Sequence, residues 1–367
     1  MRVLMVSKAC VVGAYQKKLE ELACLPEMEL TVVVPPYWRD ERGALYLERQ
    51  HTTGYDLVVE TMAFNGQFHL HFYPGLGKQI RRVRPDLVHI DEEPYNVATA
   101  HALWLSTRAG AKSLFFSWQN ILRRYPLPFR MLERYVLSHV DYAIVGNQES
   151  SQVWRAKGYG GRMVVIPQFG VDPEIFNPAR RPAGRGFIVG YAGGRLVEEK
   201  GVDLLLDALA GLEGMWRAYV LGGGPARQSL QSQAQRLGLA NRISFDTQIP
   251  SGQMPDYYRQ LDALVLPSRT RPNWKEQFGR VLVEAMACGV PVIGSDSGEI
   301  PHVIGDTGLI FPEGDVDILR AHLSRLMGDP GLRADLARRG RERVLARFTQ
   351  AQVAAQTYQV YRSMLGM

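Results

Sequence analysis

The chain runs to 367 residues, 46% hydrophobic and 22% charged, with a formal net charge of +6 at pH 7. That length holds two domains with cores of their own, and the composition excludes a disordered or fibrous chain. No apolar run reaches the ~18 residues that a membrane span needs. Three scattered cysteines without CxxC spacing exclude a disulfide framework or a zinc cluster and point to a reducing compartment.

In chain order, the opening Met1-Arg-Val-Leu-Met-Val-Ser is cut short by Lys8, so it reads as a first buried strand at 3–7 and not as a leader. Further strands are expected at 30–34, 57–60, 87–90, 113–116, 142–145 and 163–166. A second series follows at 187–191, 216–221, 243–245, 263–266, 290–293 and 308–311. Helical patterns fill the intervals, among them 203–212, 227–237 and 254–260. Alternation of this kind is the sign of α/β layering. It predicts two doubly wound halves, 1–176 and 187–349, joined by the Pro-, Gly- and Arg-rich segment 177–186.

Arginine supplies most of the positive charge, in clusters at Arg81, Arg82 and Arg84 and at Arg123, Arg124, Arg130 and Arg134. Such clusters are either a solvated basic face or an attraction to anionic ligands and an anionic membrane surface. No nucleic-acid motif accompanies them, so nucleic acid is not an expected partner.

The most informative stretch is Glu276-Gln-Phe-Gly-Arg-Val-Leu-Val-Glu284-Ala-Met-Ala-Cys-Gly-Val-Pro-Val-Ile. Phe278-Gly279 leads into a helix start, whose unpaired amides suit a phosphate. The flanking carboxylates can accept from sugar hydroxyls. Cys288 has no companion nucleophile pattern and reads as a small core residue. A nucleotide sugar needs both kinds of contact together.

The stretch resembles the signature of the retaining GT-B glycosyltransferases of family four (group 1). In the order that family has them, four more segments are similar to its motifs: Gln168-Phe-Gly-Val-Asp172 with Phe176-Asn-Pro178, Gly190-Tyr-Ala-Gly-Gly-Arg195 through Lys200-Gly, Val220-Leu-Gly-Gly-Gly-Pro225, and Leu264-Val-Leu-Pro-Ser268. The resemblance covers about 140–315. It implies a GT-B fold, two Rossmann-like domains facing a central cleft, with the helix at about 350–367 packing back on the first domain.

The resemblance implies roles for these residues. Arg195, Lys200 and Glu276 are the expected catalytic set, the two cations on the donor's diphosphate and Glu276 on the transferred sugar. Glu284 would accept from the ribose. Phe278, Gly279 and the amides around Val281 and Leu282 would meet the distal phosphate, and Gly194 belongs to the same donor site. Gly224, in a Gly-Gly-Gly-Pro turn that lacks a complete GxGxxG, would lie near the nucleobase, with 248–250 as the other candidate. Gly13 would let backbone approach a phosphate, although Ala14 stands where the family often has a second glycine. Taken without the resemblance, Arg195 and Lys200 are also what a solvated helix start carries.

On the acceptor side, Glu93, Trp118, Gln119 and Asn120 follow strands at their carboxyl ends, where open α/β sheets bind ligands. Ser117-Trp118-Gln119 stands where many relatives carry a histidine. Trp274 either stacks on a sugar or packs its own loop. The implied activity is retaining transfer by front-side attack, with no cofactor and no metal, from a nucleoside-diphosphate sugar. UDP is the broadest expectation and GDP or ADP stay open. The acceptor would be a glycan, a lipid-linked sugar or a small molecule. The expected location is cytoplasmic, peripheral on the inner face of a membrane. A GT-B-like epimerase, a phosphorylase and a non-catalytic sugar-nucleotide-binding module are the competing readings.

Overall fold

The computed structural model describes residues 1–40, 43–179, 186–247 and 249–367. They form two compact units, Met1–Gly170 with Gln350–Met367, and Val171–Thr349. The division falls at Gly170–Val171, ahead of the expected linker. Of that segment, 180–185 lies outside the described residues.

Unit 1 contains β1 (Arg2–Val6), β2 (Glu29–Val34), β3 (Tyr37–Asp40), β4 (Gly43–Tyr46), β5 (Asp56–Val59), β6 (Leu87–Ile90), β7 (Lys112–Ser117), β8 (Tyr142–Val145) and β9 (Arg162–Val165). Seven of them make a parallel sheet in the order β5-β2-β1-β6-β7-β8-β9. Side chains alternate across it with the period of two that a strand imposes. Val3 and Met5 join one core, Leu4 and Val6 the other. Both faces are covered, which explains why β6 and β8 are buried from end to end. Helices α1 (Gly13–Ala23), α2 (Leu76–Val83), α3 (Val97–Arg108), α4 (Phe129–His139) and α5 (Gln148–Ala156) supply cover. The C-terminal helix Gln350–Leu365 packs beside α1, and its Tyr361 Oη lies 2.6 Å from His89 Nδ1 in β6.

Unit 2 contains β10 (Phe187–Arg195), β11 (Trp216–Gly223), β12 (Ile243–Asp246), β13 (Ala263–Leu266), β14 (Val292–Ser295) and β15 (Leu309–Phe311). The sheet is again parallel, in the order β12-β11-β10-β13-β14-β15. Its helices are α6 (Val202–Ala210), α7 (Arg227–Arg236), α8 (Met254–Arg259), α9 (Arg280–Ala287), α10 (Ile300–Ile304), α11 (Val316–Gly328) and α12 (Pro330–Arg347). Start signals are plain here: Asp315 and Asp329 accept from the amides of Ile318 and Leu332, each at 2.9 Å.

Each expected strand forms, within a few residues. The antiparallel hairpin β3–β4 was not expected. Its second strand is exposed at every position and so lacks the apolar alternation that announces a strand. In each sheet the strand order reverses once, between β1 and β6 and between β10 and β13. Ligands of open α/β sheets bind outside the carboxyl ends of the strands at such a reversal.

Candidate functional site

At the reversal in unit 2, the loop after β10 meets the loop after β13. Lys200 ends a short 3-10 turn (Glu198–Lys200), and its Nζ lies 2.6 Å from Glu276 Oε2. Ser268 Oγ donates to the same oxygen at 2.9 Å. The pair sits low in the surface, with side chains 13% and 11% exposed. Trp274 lies against it, with Lys200 Nζ 4.9 Å from the ring centroid. The loop holding Trp274 is itself closed by Arg271 and Trp274, which exchange backbone hydrogen bonds. Arg195 closes β10, five residues ahead of Lys200, with an exposed side chain.

A third loop, after β14, fixes the backbone of Glu276. The Glu299 amide donates to Glu276 O at 3.1 Å. Gly298 lies against the same carbonyl at φ +54°, where an added Cβ would stand 2.2 Å from it. Only glycine tolerates both demands.

Helix α9 starts from Gly279 at φ +72°. Leu282 N–H donates to Gly279 O at 2.9 Å, so that amide is engaged within the turn and is not held out for a phosphate. Val281, the second helical residue, has no intrahelical carbonyl for its own amide to reach. Phe278 packs edge-on to Phe348 at 5.8 Å. Glu284, one turn on, is buried and doubly held. Tyr258 Oη donates to Oε2 and Arg280 Nε to Oε1, each at 2.7 Å. Burial, then the charge on Glu284, pushes the Tyr258 phenol far up and keeps it a donor.

Gly194 lies in the irregular end of β10, paired with Gly222 of β11. Gly224 is exposed, in a turn pressed against Leu196 O. Arg227 stiffens that turn by donating to Gly222 O, Phe245 O and Asp246 O. Of the alternative at 248–250, Gln248 lies outside the described residues.

At the reversal in unit 1 lies a pocket of about 310 Å³. Glu93 and Trp118 line it, whereas Gln119 and Asn120 do not. Those two are buried and brace the loop, Gln119 donating to Ile121 O at 3.0 Å and Asn120 to Glu149 Oε2 at 3.1 Å. Glu93 accepts from Ser117 Oγ at 2.6 Å and from the Trp118 amide at 2.8 Å. Burial pushes its carboxyl up to about 7 in spite of those bonds. Glu92 goes the other way, to about 2: burial would raise it, but Lys8 and His71 outweigh burial. Asp91 is raised by burial, against Lys18 and the bonds from Ser7 and Gln168.

Gly13 heads α1, and its amide is already taken by Glu48 Oε2 at 2.7 Å. A carboxylate there completes the helix start electrostatically, so the expected approach of a phosphate meets an occupied donor. Sequence reasoning missed Ser268, Tyr258 and Arg280 as partners of the two signature carboxylates, and Gly298 as the neighbour of the Glu276 backbone carbonyl. For Ser268 the only signal was its place at a strand end, and Tyr258 carried none.

Residues 174–343 match the family described as glycosyl transferases group 1. Over 154 residues the chain is 36% identical to the GDP-mannose-dependent alpha-(1-6)-phosphatidylinositol monomannoside mannosyltransferase of Mycolicibacterium smegmatis, covering 40% of each. Over 252 residues it is 30% identical to the D-inositol 3-phosphate glycosyltransferase of Streptomyces bingchenggensis, 62% of this chain and 54% of that one. The chain thus spans about half the length of the curated relatives it matches. Its fold is that of the sucrose-phosphate synthase of Thermosynechococcus elongatus (TM-score 0.73, 21% identity, 99% of both chains). It is also that of Anabaena HepE solved with UDP (TM-score 0.73, 20% identity, 99% of this chain and 100% of that one). Both likenesses speak to the fold alone.

Proposed function

Because residues 174–343 match the glycosyl transferases group 1, we propose that this chain is a retaining glycosyltransferase that moves a sugar from a nucleoside-diphosphate sugar to a hydroxyl acceptor. The observation that carries the reading is the Lys200–Glu276 pair at the sheet reversal of unit 2. A half-buried ammonium and a carboxylate held together are what a ligand bearing both phosphate and hydroxyls can divide between them. Lys200 and Arg195 take the diphosphate, and Glu276 takes hydroxyls of the sugar. Glu284, fixed by Tyr258 and Arg280, keeps a lone pair on each oxygen for the ribose.

In the reaction the bond from the sugar's anomeric carbon to the phosphate oxygen breaks, and the acceptor oxygen bonds to that carbon on the same face. The acceptor's proton passes to the departing phosphate. Negative charge grows on the diphosphate as it leaves, so Arg195, Lys200 and the start of α9 stabilise the transition state more than the bound donor. These groups supply the positive charge that a divalent ion would otherwise bring, and the reading is therefore metal-independent. Turnover that stops on adding a chelator and returns with magnesium would refute that part. UDP sugars head the donor panel, followed by GDP and ADP sugars. HepE was solved with UDP and one curated relative is named for GDP-mannose. Release of nucleoside diphosphate tests the reaction, and the anomeric configuration of the product by NMR tests retention.

The chain's location follows the same reading. Leu122, Leu127 and Met131 are each at least 60% exposed, among Arg123, Arg124, Arg130 and Arg134. Exposed apolar groups within a basic patch favour an anionic membrane surface on the cytoplasmic side. No helix among the described residues is long and apolar enough to cross a membrane. Co-sedimentation with phosphatidylglycerol vesicles tests the contact, and a protein that stays in the supernatant at low salt would discard it.

A further inference from the structure

We propose that the pocket of unit 1 takes a saccharide ring of the acceptor that bears no phosphate or carboxylate, and turns anionic rings away. The proposal rests on the transferase reading above and adds the charge class of the second substrate.

Size sets the first limit. About 310 Å³ lies at the small end of the ~300–1,000 Å³ typical of small-molecule sites, so a single ring fits and a lipid does not. Composition sets the second. Five aromatic residues, Tyr15, Trp38, Phe68, Phe116 and Trp118, form its walls. Flat apolar walls suit the C–H face of a pyranose, which buries area without losing the hydroxyls at its rim.

Charge decides the rest. Three carboxylates line the pocket, Asp91, Glu92 and Glu93, against one ammonium, Lys8. Lys8 is committed: its Nζ pairs with Glu92 and lies 5.5 and 5.0 Å from the ring centroids of Trp38 and Phe68. Lys18 lies behind, and its Nζ donates to Gln168 O at 2.9 Å. Among the described lining residues a phosphate would meet no cation but the paired Lys8, and above a pH of about 7, where Glu93 is ionised, it would face that carboxylate and Asp91 across a partly dry site, where like charges repel. A hydroxyl meets the opposite situation. Each Glu93 oxygen accepts one hydrogen bond from the protein and can accept another. The described lining therefore favours O–H donors over an anion. Unit 2 differs in its balance of charge: Lys200 is paired as Lys8 is, but Arg195 and the start of α9 add positive charge at the same sheet reversal, where unit 1 adds two further carboxylates.

Ligand-observed saturation-transfer NMR on the full chain tests this. The probes are the methyl α-glycosides of glucose, mannose and galactose, each beside its 6-phosphate, at low salt and at about pH 8, where Glu93 is ionised. At least one neutral glycoside is expected to bind, and its 6-phosphate at least tenfold more weakly. Phe68→Ala, at a ring 43% exposed, should abolish the neutral signal, and Trp38→Ala serves as the second variant. Equal or tighter binding of the 6-phosphates overturns the proposal, as does glycoside binding that survives both variants. The melting shift with UDP, GDP and ADP is read on the same samples. A nucleotide shift without any glycoside binding sinks this inference and spares the transferase reading. Glycoside binding without any nucleotide shift does the reverse.

Discussion

Tyr258 Oη donates to Glu284 Oε2 at 2.7 Å, from a helix other than the one that carries the carboxylate. With Arg280 on the other oxygen, Glu284 is oriented before any ligand arrives. Tyr258→Phe keeps the packing and removes the donor. We expect a loss of about 1 kcal/mol in stability, since Arg280 still serves the carboxylate. Nucleotide affinity should fall about fivefold as the preorganisation is lost. Urea unfolding and calorimetric titration measure the two effects, and an unchanged affinity would show that Glu284 is structural only.

Lys200 and Glu276 allow stability and turnover to be separated. Lys200→Met alone leaves a mostly buried carboxylate without its ammonium, and should destabilise unit 2 by up to about 3 kcal/mol. Adding Glu276→Gln removes the stranded charge and should restore most of the melting temperature. Activity should stay about 10²- to 10³-fold down in both proteins. Activity that recovers together with stability in the double variant would mean that the pair serves only to hold the loops.

Glu93 gives a pH signature. Its carboxyl is pushed from 4.5 up to about 7 by burial, so the folded chain holds a proton there that the unfolded chain releases. Stability is therefore highest below pH 4.5 for this group and declines as pH rises toward 7, by at most about 3 kcal/mol. Above about 7 the contribution is flat. Other groups titrate as well, Asp91 in the same sense and Glu92 in the opposite sense, so the measure is a difference. Wild type and Glu93→Gln should diverge in melting temperature between pH 5 and 7.5, the variant being relatively more stable at the higher pH. Parallel profiles would show that the carboxyl is not shifted.

Gly298→Ala tests the third loop. The added methyl would stand 2.2 Å from Glu276 O, at a φ of +54°. Together they should cost about 1–3 kcal/mol. Because the displaced backbone is that of Glu276, kcat should fall more than nucleotide affinity does. Wild-type kinetics in a merely less stable protein would refute the link.

The sheets were legible because their strands are apolar runs between turn signals, a property of contiguous residues. Lys200 and Glu276 were also named from sequence, each from its own motif, although 76 positions separate them. Their environment was another matter. Ser268 and Tyr258 reach the two carboxylates, and Gly298 the backbone of Glu276, from loops and a helix that only the fold brings close. Glu48 reaches the Gly13 amide from 35 positions away, at the end of a hairpin whose exposed residues gave no pattern. Gln119 and Asn120 follow a strand as Trp118 does, yet their side chains turn into the loop, and position along the chain does not record that turn.

The helix Gln350–Leu365 belongs to the unit whose strands are synthesised first. A ribosome therefore delivers Val3, Leu19 and Leu30 well before Val353 and Tyr361 exist to cover them. All of Val171–Thr349 is translated in between, about 10–40 s at ordinary elongation rates. For that interval the nascent chain carries an uncovered apolar face, exposed to aggregation until the last helix emerges.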